Sequence, residues 1–297
     1  MLRNGPNKLT KKLGIPAIAV VVLCAQFTFS QQNSKDGWST GDIKTATRLE
    51  TEGTKIERRH AIIWVEKDGL GDKELREFAD LVEKGIRDID RFMGIRFPKK
   101  RFGTDKIEYL ISSVNAPSHT TSRGRPGVFL RLDMVKDRAA PYLHETAHVL
   151  AVGSPRPQWL EEGMASFVET GVSKRYGGYN SYLFNWDKKE IMQFAAEELA
   201  TDAGTNVATV VGIFTAPTDL TGRQIAANKS INIDRQNAGR AFYALSESLV
   251  TYICKRIGTR RFFKVIFTQD IENALVRKTG ISAEKWRADW LSSITAK

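Results

Sequence analysis

Tyr142-Leu143-His144-Glu145-Thr146-Ala147-His148-Val149-Leu150 is the stretch around which the rest of the chain organises. Pro141 precedes it, where the first turn of a helix tolerates a residue without an N–H. Tyr142, Leu143, Ala147, Val149 and Leu150 make this a packed helix rather than a solvated one. The pattern predicts a helix from about residue 141 to 152, broken by Gly153-Ser154-Pro155-Arg156-Pro157. Pro157 then opens a second helix running to about Thr170.

The two sides of this helix pair read differently. Upstream, the apolar, β-branched runs His60–Glu66, Lys106–Ser112 and Gly127–Asp133 predict strands. Between the first two, Leu75, Phe78, Leu81, Val82, Ile86, Ile89 and Phe92 recur at helical spacing across Asp72–Met93, with Gly94 placed to cap the helix. Downstream, helices are predicted over 187–200, 237–257, 259–269 and 283–295, the last with Ser282 as N-cap. Tyr176, Tyr179, Tyr182, Phe184 and Trp186 lie among glycines in 171–186, which reads as an ordered loop. A strand-rich first half and a helical second half imply an α+β fold. The catalytic-type domain would span 59–297, as a sheet lobe over 59–153 and a helical lobe over 154–297.

Residues 1–30 stand apart. Arg3, Lys8, Lys11 and Lys12 lead an apolar run from Leu13 to Phe29, and Ser30 precedes the polar Gln31-Gln32-Asn33-Ser34. This is the anatomy of a secretory signal peptide cleaved after Ser30, with Ala25 as the second choice, and predicts an exported protein, periplasmic or extracellular. An uncleaved anchor is the alternative reading. Leu23 is too bulky to precede a lipidated Cys24. Removing the leader lowers the net charge from +11 to +7 and leaves Cys254 as the sole cysteine, so no internal disulfide is expected. Cys254 sits in an apolar helical stretch and reads as inert core. Residues 31–58, polar and weakly periodic, read as a linker or extended arm. After the leader, no apolar stretch is long enough to span a membrane. The basic clusters Arg58-Arg59, Lys99-Lys100-Arg101 and Arg260-Arg261 are scattered and carry no nucleic-acid motif, so they read as solvated surface.

The chemistry lies in His144-Glu145-x-x-His148. Histidines four apart stand one above the other on a helix, so both rings can reach one Zn²⁺. Glu145 follows the first histidine and is placed to act on a metal-activated water as general base. Only four histidines occur in the chain, and two are here. His60 and His119 have no such spacing and read as structural. A catalytic zinc takes three protein ligands and keeps one position open, so a third ligand is required. The second helix offers Glu161, Glu162 and Glu169, and geometry alone does not choose among them.

His-Glu-x-x-His followed by Trp159-Leu160-Glu161-Glu162-Gly163-Met164-Ala165-Ser166-Phe167-Val168-Glu169 resembles the gluzincin-type zincin metallopeptidases. The likeness is specific over roughly 138–170 and looser from about 60 to 290. It implies a zincin-like fold, a small mixed sheet beside an active-site helix. It also implies Glu162 as the third ligand to one zinc per chain, and Glu169 as an outer carboxylate orienting a ligand histidine. By the same resemblance, Gly127, Val128 and Phe129 would form a sheet edge that pairs with extended substrate, unless this is an ordinary core strand. Tyr243 would donate to the oxyanion, unless it is a packing residue. The resemblance has limits. Thirteen residues separate His148 from Glu162, fewer than in the aminopeptidases of this group, and their Gly-Ala-Met-Glu-Asn motif is missing. The implied activity is therefore zinc-dependent hydrolysis of a peptide or protein substrate, without aminopeptidase specificity. The alternative is a non-catalytic module that keeps the metal site. Such a module has no need of a free Glu145.

Overall fold

β-Branched and aromatic runs form the centre of the molecule. The computed structural model describes residues 38–94, 104–115, 119–121, 125–151, 156–173, 190–216 and 235–295. The signal-peptide reading and the aromatic cluster Tyr176–Trp186 lie outside them. Strands β1 (Thr54–Glu57), β2 (Ala61–Val65), β3 (Ile107–Ser112), β4 (His119–Thr121) and β5 (Gly127–Arg131) form one sheet of order β1-β2-β3-β5-β4. β2, β3 and β5 run parallel, while β1 and β4 are antiparallel edges. The sheet is therefore mixed. Its central strands are apolar nearly throughout because both faces are covered.

Each face has its own cover, set by the alternation of side chains along a strand. Ile63, Tyr109, Ile111, Val128 and Leu130 join the main core. Leu110 and Phe129 turn the other way and pack with Trp38, Ala46 and Leu49. The last two belong to helix α1 (Thr40–Glu52). Here the structure differs from the linker expected over 31–58. Over the described residues 38–57 the chain forms α1 and β1, and α1 closes the far face of the sheet. Ser39 starts it by accepting from the Asp42 N–H, while the Asp42 carboxylate accepts from the Ser39 N–H.

On the main face lies α2 (Asp72–Met93), whose Leu75, Phe78, Val82, Ile86 and Ile89 are buried. It ends as predicted at Gly94, in the left-handed region at φ 69°. After β5 the chain turns at once into the short α3 (Leu132–Lys136) and then enters α4 (Tyr142–Leu150). The helical second half follows as α5 (Gln158–Ser173), α6 (Ile191–Leu199), α7 (Asp202–Val207), α8 (Arg235–Ile257), α9 (Thr259–Ile266), α10 (Ile271–Thr279) and α11 (Ala283–Thr295). Ser282 caps α11 as expected, its hydroxyl accepting from the Lys285 N–H at 3.2 Å. Cys254 is buried, and desolvation pushes its thiol well above the ordinary range, as an inert core residue requires.

One core runs from Ala61 to Ile294. The sheet half and the helical half are thus fused, and α4 and α5 lie at the seam. No helix among the described residues is long and apolar enough to cross a membrane.

Candidate metal centre

Two glycines let the helices that carry the site come close. A Cβ on Gly85 of α2 would stand 2.8 Å from Leu143 Cδ2, so α4 lies tightly against α2. A Cβ on Gly163 of α5 would meet the Ser246 carbonyl oxygen at 2.5 Å, so the backbones of α5 and α8 touch one residue after Glu162. Behind α4, Thr146 donates to the Tyr142 carbonyl at 2.5 Å and also contacts the buried Tyr109 hydroxyl at 2.5 Å. That pins the helix to β3.

His144, His148 and Glu162 converge from α4 and α5. His144 Nε2 lies 3.1 Å from Glu162 Oε2, His148 Nε2 lies 3.4 Å from the same oxygen, and the two Nε2 atoms are 3.0 Å apart. A tetrahedral zinc with bonds of about 2.0–2.2 Å sets its ligand atoms roughly 3.3–3.6 Å apart. Two imidazole nitrogens and one carboxylate oxygen at 3.0–3.4 Å therefore fit one cation of that size. Among the described residues this trio is the group of His, Cys, Asp or Glu side chains arranged to hold a metal.

All three acidic residues of α5 serve this place, and in different ways. Glu162 presents Oε2 to both histidines, and its Oε1 accepts from Gln158 Nε2 at 2.5 Å. Glu169, 1% exposed, holds Oε2 3.8 Å from His144 Nδ1. Glu161 holds Oε2 3.8 Å from His148 Nδ1 and accepts from Arg156 Nε at 2.8 Å. Each imidazole thus turns Nε2 inwards and Nδ1 towards an outer carboxylate, the arrangement that orients a ligand histidine. Gln158 and Arg156 were not read from the sequence as site residues. Gln158 had a usable signal, since it stands one helical turn before Glu162.

Charge and burial shape the titration of these groups. Burial alone would raise the Glu162 carboxyl, but His148 and His144 outweigh it and hold it well below the usual range. Burial draws His148 down, yet Glu162, Glu161 and Glu145 outweigh it and push the imidazole up to about 10. Glu145 is 7% exposed. Desolvation raises its carboxyl above the ordinary value, against the opposing pull of His144 and His148, and Glu162 adds to the rise. A raised, buried carboxyl beside the trio is suited to take and return a proton.

Tyr243 of α8 is half-buried, with its ring edge-on to His144 at 5.9 Å between centroids. The tyrosine singled out in the sequence thus stands beside the first histidine. Gly127, Val128 and Phe129 do not form a sheet edge: β5 is hydrogen-bonded to β3 on one side and to β4 on the other. The edge beside α4 is β4, a short polar strand of His-Thr-Thr. An edge needs one unpaired row of backbone groups, and β5 has none over these residues. The structural readings of the other two histidines have partners to support them. His60 Nδ1 lies 2.8 Å from Glu83, and His119 Nε2 lies 2.8 Å from Asp42 with its ring stacked on Phe129. Comparison of the chain with family models and with curated proteins returns no match.

Proposed function

We propose that the chain is a zinc-dependent hydrolase of peptide bonds, of the zincin type and acting in an exported compartment. The observation that carries the reading is the convergence of His144 Nε2, His148 Nε2 and Glu162 Oε2 at 3.0–3.4 Å, with the buried Glu145 on the same helix. The mixed sheet, its antiparallel edge β4 beside α4, and the resemblance of 142–150 and 159–169 support it. The leader sequence supports export.

His144, His148 and Glu162 would hold the ion, and a bound Zn²⁺ would lower the pKa of a water towards about 7 and polarise a substrate carbonyl. Three protein ligands would leave one position open for this chemistry. Glu145 accepts the proton of the attacking water and delivers it to the departing amine, so hydroxyl goes to the acyl carbon and hydrogen to the nitrogen. Glu169 and Gln158 fix His144 and Glu162 in place. The edge of β4 offers backbone groups to an extended peptide. A metal-holding module without catalysis has no need of a free Glu145 carboxylate beside the ligands, which favours the enzyme.

The test is cleavage of a peptide library by wild type and Glu145→Gln at equal zinc content. The amide cannot accept the proton, so cleavage should vanish while zinc and fold remain. Equal cleavage by both proteins would contradict the mechanism.

A further inference from the structure

Arg156 is a buried charge outside the ligand set. Arg156 is 3% exposed and precedes α5. A guanidinium in that position is costly unless its donors are met. It makes three contacts that reach three elements. Nε donates to Glu161 Oε1 at 2.8 Å, Nη2 to the Ala151 carbonyl at 2.5 Å, and Nη1 to the Ile266 carbonyl at 3.3 Å. Ala151 is the C-cap of α4 and Ile266 the last residue of α9. The planar fork therefore ties the end of the histidine helix, the start of the glutamate helix and the helical half into one joint.

Glu161 completes the line. Oε1 is taken by Arg156, and Oε2 faces His148 Nδ1 at 3.8 Å. A histidine that binds a cation through Nε2 must carry its proton on Nδ1, and that N–H needs an acceptor. Glu161 is the carboxylate on that side of His148, as Glu169 is for His144.

We propose that Glu161, braced by the buried guanidinium of Arg156, is the positioning residue for His148. It holds the ring's tautomer and direction so that Nε2 meets the cation. This rests on the metal reading above. It assigns a role to the carboxylate that the resemblance leaves without one, and makes Arg156 the joint through which α9 supports the site.

The test is the zinc Kd of the full chain, measured by competition with a chromophoric chelator, together with the melting temperature of the chelator-stripped protein. Glu161→Ala should weaken zinc by about 10–100-fold, the usual cost of an outer-shell partner. Glu161→Gln keeps an oxygen for Arg156, so it should fold even if Glu161→Ala does not, and it should still bind zinc more weakly than wild type. In a His148→Ala background, Glu161→Gln should leave the zinc Kd unchanged, because the residue through which it acts is gone. A wild type that binds zinc and a Glu161→Gln that binds it equally well would overturn the inference while sparing the metal centre. So would a fall in melting temperature with an unchanged Kd. Failure of wild type to bind zinc would overturn both.

Discussion

His144 and Glu162 stand eighteen residues apart on different helices, yet Nε2 of one lies 3.1 Å from Oε2 of the other. α4 ends at Leu150 and α5 begins at Gln158, and the main core holds both. Of the three α5 carboxylates, Glu162 is the one that groups with both histidines. Glu162→Ala should therefore lose zinc more severely than Glu161→Ala, whose loss should stay within about 10–100-fold. Zinc titration of the two variants checks this. Equal losses would mean that Glu162 is not a ligand.

Gly163 makes a second prediction, about packing. Its missing side chain allows the Ser246 carbonyl oxygen to sit 2.5 Å from where a Cβ would be. Gly163→Ala must push α8 away from α5 or strain one of them, at a cost of about 1–3 kcal/mol. Urea unfolding would measure the cost. Because α8 also carries Tyr243, turnover should fall along with stability. An unchanged midpoint would show that the two helices have slack at this crossing.

Tyr243 lies edge-on to His144, but its catalytic worth depends on the hydroxyl. Tyr243→Phe should lower kcat on the order of 10²–10³-fold, the cost of one oxyanion donor, with little change in KM. A normal kcat with unchanged melting temperature would leave the ring with packing alone.

Acid should release α1 before the rest. Burial would raise the Asp42 carboxyl, but His119 and Ser39 outweigh it and lower it. The same contest at Glu66 is won by Ser113, Ser112 and Arg48. Asp42 and Arg48 belong to α1, and both ties join it to the sheet. A carboxyl lowered on folding stabilises above its unfolded pKa, and that contribution is lost as pH falls through the folded value. Protection of α1 amides from hydrogen exchange should therefore drop below about pH 4, where unfolded Asp and Glu titrate. Asp42→Asn should show a smaller acid-induced drop. Equal acid sensitivity in both proteins would exclude Asp42 and leave Glu66, through Arg48, as the acid-sensitive tie.

α1 also shows where the sequence was hard to read. Asp72–Met93 announces itself by a long apolar stripe and a glycine at its end, and the structure places helix and cap there. In Thr40–Glu52 only Ala46 and Leu49 are buried, and Ile43 is exposed, so the apolar signal is thin. The Ser39-x-x-Asp42 start is a cap signal that marks only the first turn. β4 is three residues long and polar, too short for any period to show. Its insertion beside β5 moved the sheet edge from 127–129 to 119–121, which only strand pairing reveals. The two histidines and Glu145 were legible because a helix fixes their spacing. Spacing alone did not separate Glu161, Glu162 and Glu169, since their difference lies in how α5 is rotated against α4; only the family resemblance singled out Glu162 and Glu169.

Whether His144, His148 and Glu162 hold one zinc ion is read from the zinc content after stripping with chelator and reloading, in wild type and in His144→Ala/His148→Ala. About one Zn²⁺ per chain in wild type, and none retained by the double variant, is the predicted result. A wild type that gains no zinc, or a double variant that retains as much as wild type, would contradict the account.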